Sequence, residues 1–203
     1  ILGGTATAQR GRDAGFDAPG NDDRTGLALG SVGGNLDTLT LFAANVAEKG
    51  PRLAPPFLFP HTYWNATAGL LSIEYGLRGP HHQFCSGAAA GLEAVVRASR
   101  DVACGRSIAM LAGGTEAFGE SIFRAAAARG WLSPATPGKE CCLPCHPDRN
   151  GTILAEGGAL FVVETREGAE ARGARPLALI AGTGRAATPG AAIENALRTA
   201  GTP

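Results

Sequence analysis

Apolar runs bounded by glycine alternate along this chain with longer segments of helical period. Leu27 to Val32 predicts a strand, and from Asp37 to Glu48 the residues Leu39, Leu41, Phe42 and Val46 recur at the spacing of a helix. A proline-rich loop follows, with Pro51, Pro55, Pro56 and Pro60. Asn65 is placed to cap a helix that runs through Leu70, Leu71, Ile73 and Tyr75 and ends at Gly76. Gln83 to Ser86 predicts a short strand, and Ala88 to Ser99 an alanine-rich helix with Leu92, Val95 and Val96 on one face. Ser107 to Ala112 predicts a buried strand closed by Gly113-Gly114, and Phe118 to Arg129 is helical again. Residues 131–152 show no periodicity. Beyond them Ala159 to Glu164 and Leu177 to Ala181 predict two strands, and Ile193 to Ala200 begins a last helix.

Strands alternating with helices predict an α/β sandwich, with helices covering a mixed sheet. No internal repeat or linker interrupts the pattern, so residues 1–203 are expected to form a single domain. The first residue is not Met, and the chain stops at Gly201-Thr202-Pro203 directly after a helix. Both ends therefore read as cut from a longer protein.

Composition sharpens this picture. Alanine (38 residues) and glycine (30 residues) together make a third of the chain, which suits close helix-on-sheet contact and turns at positive φ. A hydrophobic fraction of 44% against 18% charged residues is that of a folded globular protein. Eighteen basic groups balance eighteen acidic ones, which argues against nucleic acid or an anionic membrane as the main partner. No run reaches the roughly 18 apolar residues that span a bilayer, and no signal peptide is visible at Ile1-Leu2-Gly3-Gly4. Five cysteines, an odd number, do not make a disulfide framework, and a reducing cytoplasm is the expected compartment.

The most distinctive segment is Gly76-Leu77-Arg78-Gly79-Pro80, followed by Cys85-Ser86-Gly87-Ala88-Ala89-Ala90-Gly91-Leu92-Glu93-Ala94-Val95. Small residues crowd a strand-to-helix turn here. Such a turn exposes backbone amides at a helix N-terminus, an oxyanion site, and can present a nucleophile there. By chemistry alone the candidates are Cys85 and Ser86; equally, a Cys beside a turn can be an inert small hydrophobe. The run Cys141-Cys142-Leu143-Pro144-Cys145-His146 admits three readings: structural zinc, reactive loop thiols, or plain loop residues. A structural zinc needs four ligands, usually in two pairs, and no second Cys or His pair lies nearby, so plain loop residues are favoured and no metal or other cofactor is expected. His81-His82 could face a tunnel mouth or serve a capping or solvated role. Trp64 and Trp131, with Phe57 and Phe59, are expected as core or interface anchors.

Taken together, these pieces resemble the β-ketoacyl synthases of fatty-acid and polyketide assembly, over residues of about 24 to 201. The resemblance rests on Asn65, Ala68-Gly69, Gly76-Leu77-Arg78-Gly79-Pro80, Gly91-Leu92 and Ala112-Gly113-Gly114-Thr115-Glu116-Ala117. It continues through Leu132-Ser133, Asp148-Arg149-Asn150-Gly151, Ala155-Glu156-Gly157-Gly158-Ala159, Val162-Val163-Glu164 and Ala171-Arg172-Gly173-Ala174. It implies a thiolase-like fold, an α-β-α layered sandwich with a mixed sheet, of which this chain is the N-terminal half.

In that family a nucleophilic Cys opens the helix after the Gly-Pro turn, with a Gly three residues later. Setting Gly91 on that Gly puts Ala88 on the nucleophile, and Gly113-Gly114 falls into place in the same gapless register. Cys85 lies three residues upstream, on the strand. A methyl group has neither a lone pair nor an acidic proton, so Ala88 cannot attack a thioester. The family's two catalytic histidines and a second oxyanion amide belong to the C-terminal half, and His61, His81, His82 and His146 match neither histidine. The resemblance therefore implies a substrate-facing surface at Gly87, Ala88, Gly113, Gly114 and Glu116. Glu116 would hydrogen-bond near the floor of the site; read as an ordinary residue, it is a helix N-terminal carboxylate.

Family members without the Cys include the chain-length factors, which pair with an active ketosynthase and help shape the tunnel at the dimer interface. Gln is the usual replacement there, where this chain has Ala88. The expected function is a non-catalytic, chain-length-factor-like subunit in fatty-acid or polyketide elongation. Its expected partners are an active ketosynthase subunit or a second copy of itself, and an acyl carrier protein. One alternative is an active synthase that performs decarboxylative condensation with Cys85 and histidines from a missing segment. Another is a structural dimerisation module that binds no acyl chain.

Overall fold

The computed structural model describes residues 23–136 and 138–201. The expected single domain of 1–203 therefore includes residues 1–22, 137 and 202–203, which lie outside the described residues, as do the readings made at Ile1-Leu2-Gly3-Gly4 and at Thr202-Pro203. Four strands, β1 (Thr25–Gly30), β2 (His81–Phe84), β3 (Ala109–Glu116) and β4 (Gly157–Glu164), form one sheet in the order β2-β1-β3-β4. β1 pairs in parallel with β2 and β3, whereas β3 and β4 are antiparallel, so the sheet is mixed as expected. The helices are α1 (Leu36–Lys49), α2 (Ala66–Tyr75), α3 (Ala90–Ala103), α4 (Glu120–Ala128), α5 (Arg166–Ala171) and α6 (Pro189–Thr199).

The two faces of the sheet bury different residue sizes. Successive strand residues point to opposite faces, and in β1 this sends Ala28 one way and Leu27 and Leu29 the other. Ala28, Met110, Ala112 and Val163 pack on Ala94, Ala98 and Val102 of α3. Leu27, Leu29 and Leu111 pack on Ala68 and Leu71 of α2, together with Leu77. The result is an α-β-α sandwich, with a close, alanine-lined interface under α3 and a leucine-filled one under α2.

Several boundaries differ from the sequence pattern for physical reasons. β1 stops at Gly30 instead of Val32 because the Val32 and Gly33 amides turn away to the Glu116 carboxylate. β2 lies two residues earlier than expected, in register with Leu27–Gly30, and Cys85-Ser86 already belongs to the turn. β3 runs on through Gly113-Gly114 to Glu116, since both glycines keep pairing with Leu160 and Ala159. α3 buries Ala90, Ala94, Ala98, Asp101 and Val102. The expected apolar face is not the buried one: Val95 is partly covered, while Leu92 is 72% exposed. Small side chains win the interface because they let the helix backbone approach the sheet.

Asn65 stands where a cap was expected but makes no side-chain cap bond, whereas Gly76 ends α2 in the left-handed conformation (φ 61°) as its position requires. Residues 177–181 form no strand. They have no ladder partner among the described residues, and Leu177 is 94% exposed. α5 was not read from the pattern; Thr165 begins it by accepting from the Gly168 amide at 3.0 Å. The segment just before α6 packs on that helix, where Thr183 N–H donates to Thr199 Oγ1 and Asn195 Nδ2 donates to the Arg185 carbonyl.

The approach of α3 to β1 leaves no space for a side chain at Gly30: an added Cβ would lie 2.1 Å from the Ala90 carbonyl carbon. Gly30→Ala is therefore expected to lower the urea-unfolding free energy by about 3 kcal/mol, the cost of forcing backbone apart in a packed layer. Gly69 in α2 has open space around a built Cβ. Gly69→Ala should instead raise stability by roughly 0.5–1 kcal/mol. Equilibrium unfolding of the two variants beside the parent checks both signs.

Candidate functional site

The C-terminal ends of the parallel strands and the N-terminus of α3 converge. β2 leads through Cys85 and Ser86 into one turn of 3-10 helix, Gly87–Ala89, which opens onto α3. Gly87 makes this turn at φ 82° with nothing within 4 Å of a built Cβ, so backbone conformation is what calls for glycine there. Behind the turn α3 sits directly on the sheet backbone: a Cβ on Gly91 would come within 3.2 Å of the Gly114 Cα. Gly113 is far tighter toward β4, where a built Cβ would lie 2.0 Å from the Ala159 carbonyl oxygen. Gly87, Ala88, Gly113 and Gly114 thus gather at one end of the sheet, and Ala88 is exposed at its surface.

No side chain caps the first amides of the turn or of α3. The Ser86 hydroxyl donates to the Glu93 carboxylate instead, and Arg185 holds the other oxygen of Glu93 at 3.1 Å. The helix N-terminus therefore presents its partial positive charge to solvent beside the Ala88 methyl group.

Cys85 is half-buried just beyond β2. Burial pushes its thiol above the ordinary value; the Gln83 side chain, 3.8 Å from Sγ, opposes this, and the negative charge of Glu116 adds to it. A thiol in this setting holds its proton, the reverse of what a nucleophile at a helix N-terminus requires.

Glu116 ends β3 and acts as a clamp, accepting from Val32 N–H at 2.5 Å and Gly33 N–H at 3.2 Å. It thereby fixes the loop leaving β1. A second carboxylate that sequence reasoning passed over, Asp37 in α1, accepts from the Glu120 and Ser121 amides and caps α4 from outside. Hydrogen bonding from Ser121, above all, holds Asp37 below the usual carboxylate range against slight desolvation.

The other missed residue is Asp101. It is fully buried and receives His82 Nε2 at 2.6 Å, Arg97 Nε at 3.2 Å and Arg106 Nη2 at 2.6 Å. Burial alone would raise its pKa, but the hydrogen bonds from His82, Arg106 and Arg97, with the charge of Arg97, outweigh it and hold it below the usual range. A signal for it existed: Asp101 continues the buried stripe Ala90, Ala94, Ala98 at helical spacing. His82 is thereby committed to the last turns of α3 and takes no place at a tunnel mouth.

The remaining candidates lie apart. Trp64, Trp131, Phe57 and Phe59 are exposed and are not core anchors. Among the described residues no group of three or more His, Cys, Asp or Glu side chains is arranged to hold a metal ion, and no helix is long and apolar enough to cross a membrane.

Sheet order, layer order and the glycine-seated helix define a thiolase-like ketosynthase fold, of which this is the N-terminal half. The family model described as "Beta-ketoacyl synthase, N-terminal domain" matches residues 2–169, and the chain belongs to that family. It is 36% identical over 166 residues to 3-oxoacyl-[acyl-carrier-protein] synthase 2 of Vibrio cholerae, covering 81% of this chain and 40% of that protein. The protein of the same name from Rhizobium meliloti is 35% identical over 178 residues, covering 85% of this chain and 42% of its own length. The chain thus spans about two fifths of the length of these relatives. A β-ketoacyl synthase from Burkholderia phymatum superposes with a TM-score of 0.85 at 24% identity, covering 98% of this chain and 52% of that one. A type II polyketide synthase acyl-carrier protein in complex with its ketosynthase bound to the hexaketide gives 0.83 at 25% identity, over 98% and 54%. The ishigamide ketosynthase/chain length factor gives 0.69 at 28% identity, over 91% and 49%.

Asp101 supplies a pH dependence with a definite sign. Its folded-state pKa is lowered, so its stabilisation is full above the ordinary carboxylate pKa of about 3.9 and fades as pH falls through the lowered value. Asp101→Asn is expected to cost about 2 kcal/mol at pH 7, from weakened charge-assisted hydrogen bonds. It should also flatten the acid limb of stability, as measured by urea unfolding across the acid range. Asp37 contributes with the same sign, so part of the acid dependence persists in the variant.

Proposed function

We propose that this chain is part of a non-catalytic, chain-length-factor-like ketosynthase subunit that serves fatty-acid or polyketide chain elongation. The observation that carries the reading is Ala88. It occupies the solvent-facing turn at the α3 N-terminus, seated by Gly30, Gly91 and Gly114, where a family nucleophile would meet free helix amides. The scaffold for an acyl-thioester site is kept and the attacking atom is gone. Partners of matching chemistry are an active ketosynthase subunit, or a second copy of this chain, and an acyl carrier protein. The solved ketosynthase with its acyl-carrier protein and the ketosynthase/chain length factor support this choice. A cytoplasmic setting fits five free thiols.

An active synthase built on Cys85 is the second reading. The raised pKa of that thiol and its place between β2 and the 3-10 turn that carries Ala88 weigh against it.

Incubation of the chain with a radiolabelled acyl thioester is expected to leave no acyl group on the protein after denaturation. Ala88→Cys puts a thiol at the helix amides, and that thiol should be alkylated by iodoacetamide at neutral pH at least tenfold faster than Cys85, through stabilisation of its thiolate. Stoichiometric acylation of the parent that disappears in Cys85→Ala would overturn the reading in favour of the active synthase.

A further inference from the structure

A serine directly before a helix is among the residues whose side chain best caps it, accepting from the second or third amide of the first turn. Ser86 stands directly before the turn Gly87–Ala89, yet makes no side-chain cap bond. Its hydroxyl donates instead to Glu93, the acidic residue in the first turn of α3. A carboxylate there is also drawn to the positive end of the helix, but Glu93 accepts from no main-chain amide among the described residues. Two side chains suited to closing the helix N-terminus are thus bound to each other, and the first amides stay uncapped.

The other oxygen of Glu93 is held by Arg185, whose Nη2 lies 3.1 Å away. Among the described residues Arg185 is the one cation paired with this carboxylate. It arrives from a distant piece of chain that is braced on α6. The Arg185 carbonyl accepts from Asn195 Nδ2 at 3.2 Å. Two residues earlier, the Thr183 amide donates to Thr199 Oγ1, which in turn donates to the Thr183 carbonyl, each at 2.9 Å. Gly182 and Gly184 lie against the helix backbone, where a built Cβ would come 2.2 Å from the Ala196 carbonyl oxygen and 1.9 Å from that of Ala192. The guanidinium therefore reaches Glu93 from a fixed mount, although its side chain is largely exposed.

We propose that Arg185 is a positioning residue that keeps the amides of the Ala88 turn open. It does so by holding Glu93, and through Glu93 the Ser86 hydroxyl, off the helix N-terminus. With the guanidinium in place, the carboxylate has its charge balanced and both oxygens engaged. Without it, the attraction left to the carboxylate is the partial positive charge at the start of its own helix. A carboxylate or hydroxyl seated there takes the amides that an oxyanion would use. Arg185 touches no reacting group and acts only through Glu93. The proposal rests on reading the Ala88 turn as a kept acyl-thioester scaffold, and adds the residue that holds it open.

The test uses the full chain and two readouts. In Ala88→Cys, the pH profile of iodoacetamide alkylation, mapped to residue 88, reports how strongly the turn favours the thiolate. Adding Arg185→Met is expected to move that profile up by about one pH unit and to slow alkylation at neutral pH about tenfold. Arg185→Lys, which keeps the charge, should stay within about twofold of the arginine chain. With Ala88 unchanged, hydrogen exchange of the Ala88 amide, followed by NMR, should slow about tenfold in Arg185→Met as a cap forms over it. A Ser86→Ala, Glu93→Ala background has neither cap, and Arg185→Met should change both readouts there by less than about twofold. An undiminished effect in that background would assign it to the arginine's own field, and unchanged Ala88 exchange in Arg185→Met would show that no cap forms. Either result overturns the proposal. An Ala88→Cys thiol no faster than Cys85 counts against the acyl-site reading instead, and exchange at the Ala88 amide then decides the role of Arg185.

Discussion

Everything at the site rests on one contact, the backbone-on-backbone seating of α3 at Gly30, Gly91 and Gly114. At Gly30 a methyl group would collide with the backbone of the first turn of the helix, and at Gly91 and Gly114 it would sit tighter than an ordinary contact, at 3.2 and 3.3 Å from the facing glycine. The alanines deeper along the helix extend the same close packing. Dispersion between closely apposed surfaces and removal of apolar area from water hold the layer together, so small residues here add to stability by proximity. The opposite face, filled with leucine, keeps α2 at a more ordinary distance.

Two carboxylates convert that packing into a defined site. Glu116 gathers the amides that leave β1, and Asp37 gathers those that start α4. Each satisfies amides of another segment, a form of cap that binds chain pieces more than 80 residues apart in sequence. The loop leaving β1 and the start of α4 are thus held by main-chain amides that donate to two acidic side chains.

Much of the architecture was legible in the sequence. Alternation of apolar runs with helical segments located most strands and helices of the layered sheet, and the family resemblance, through Gly91 and Gly113-Gly114, singled out Ala88, which lies in the 3-10 turn before α3. What was not legible depended on partners distant in sequence. The end of β1 is set by Glu116, the start of α4 by Asp37, and the two-residue shift of β2 by its register on β1. The buried face of α3 was misplaced because hydrophobicity favoured Leu92, while the packing distance selected alanine. Residues 177–181 have the composition of a strand, yet a strand exists only where a neighbouring chain accepts its ladder.

The anchoring of α3 at both ends has a mechanical consequence. Glycine contacts hold its N-terminus, and the Asp101 ion cluster holds its C-terminal turns through His82 of β2. A helix of 14 residues is about 20 Å long, so a tilt of about 3° pivoting at Asp101 displaces the far end by roughly 1 Å. Because the far end is packed on the backbone of Gly30 and Gly114, those contacts resist a tilt of that size, and the two anchors together fix the turn that carries Ala88.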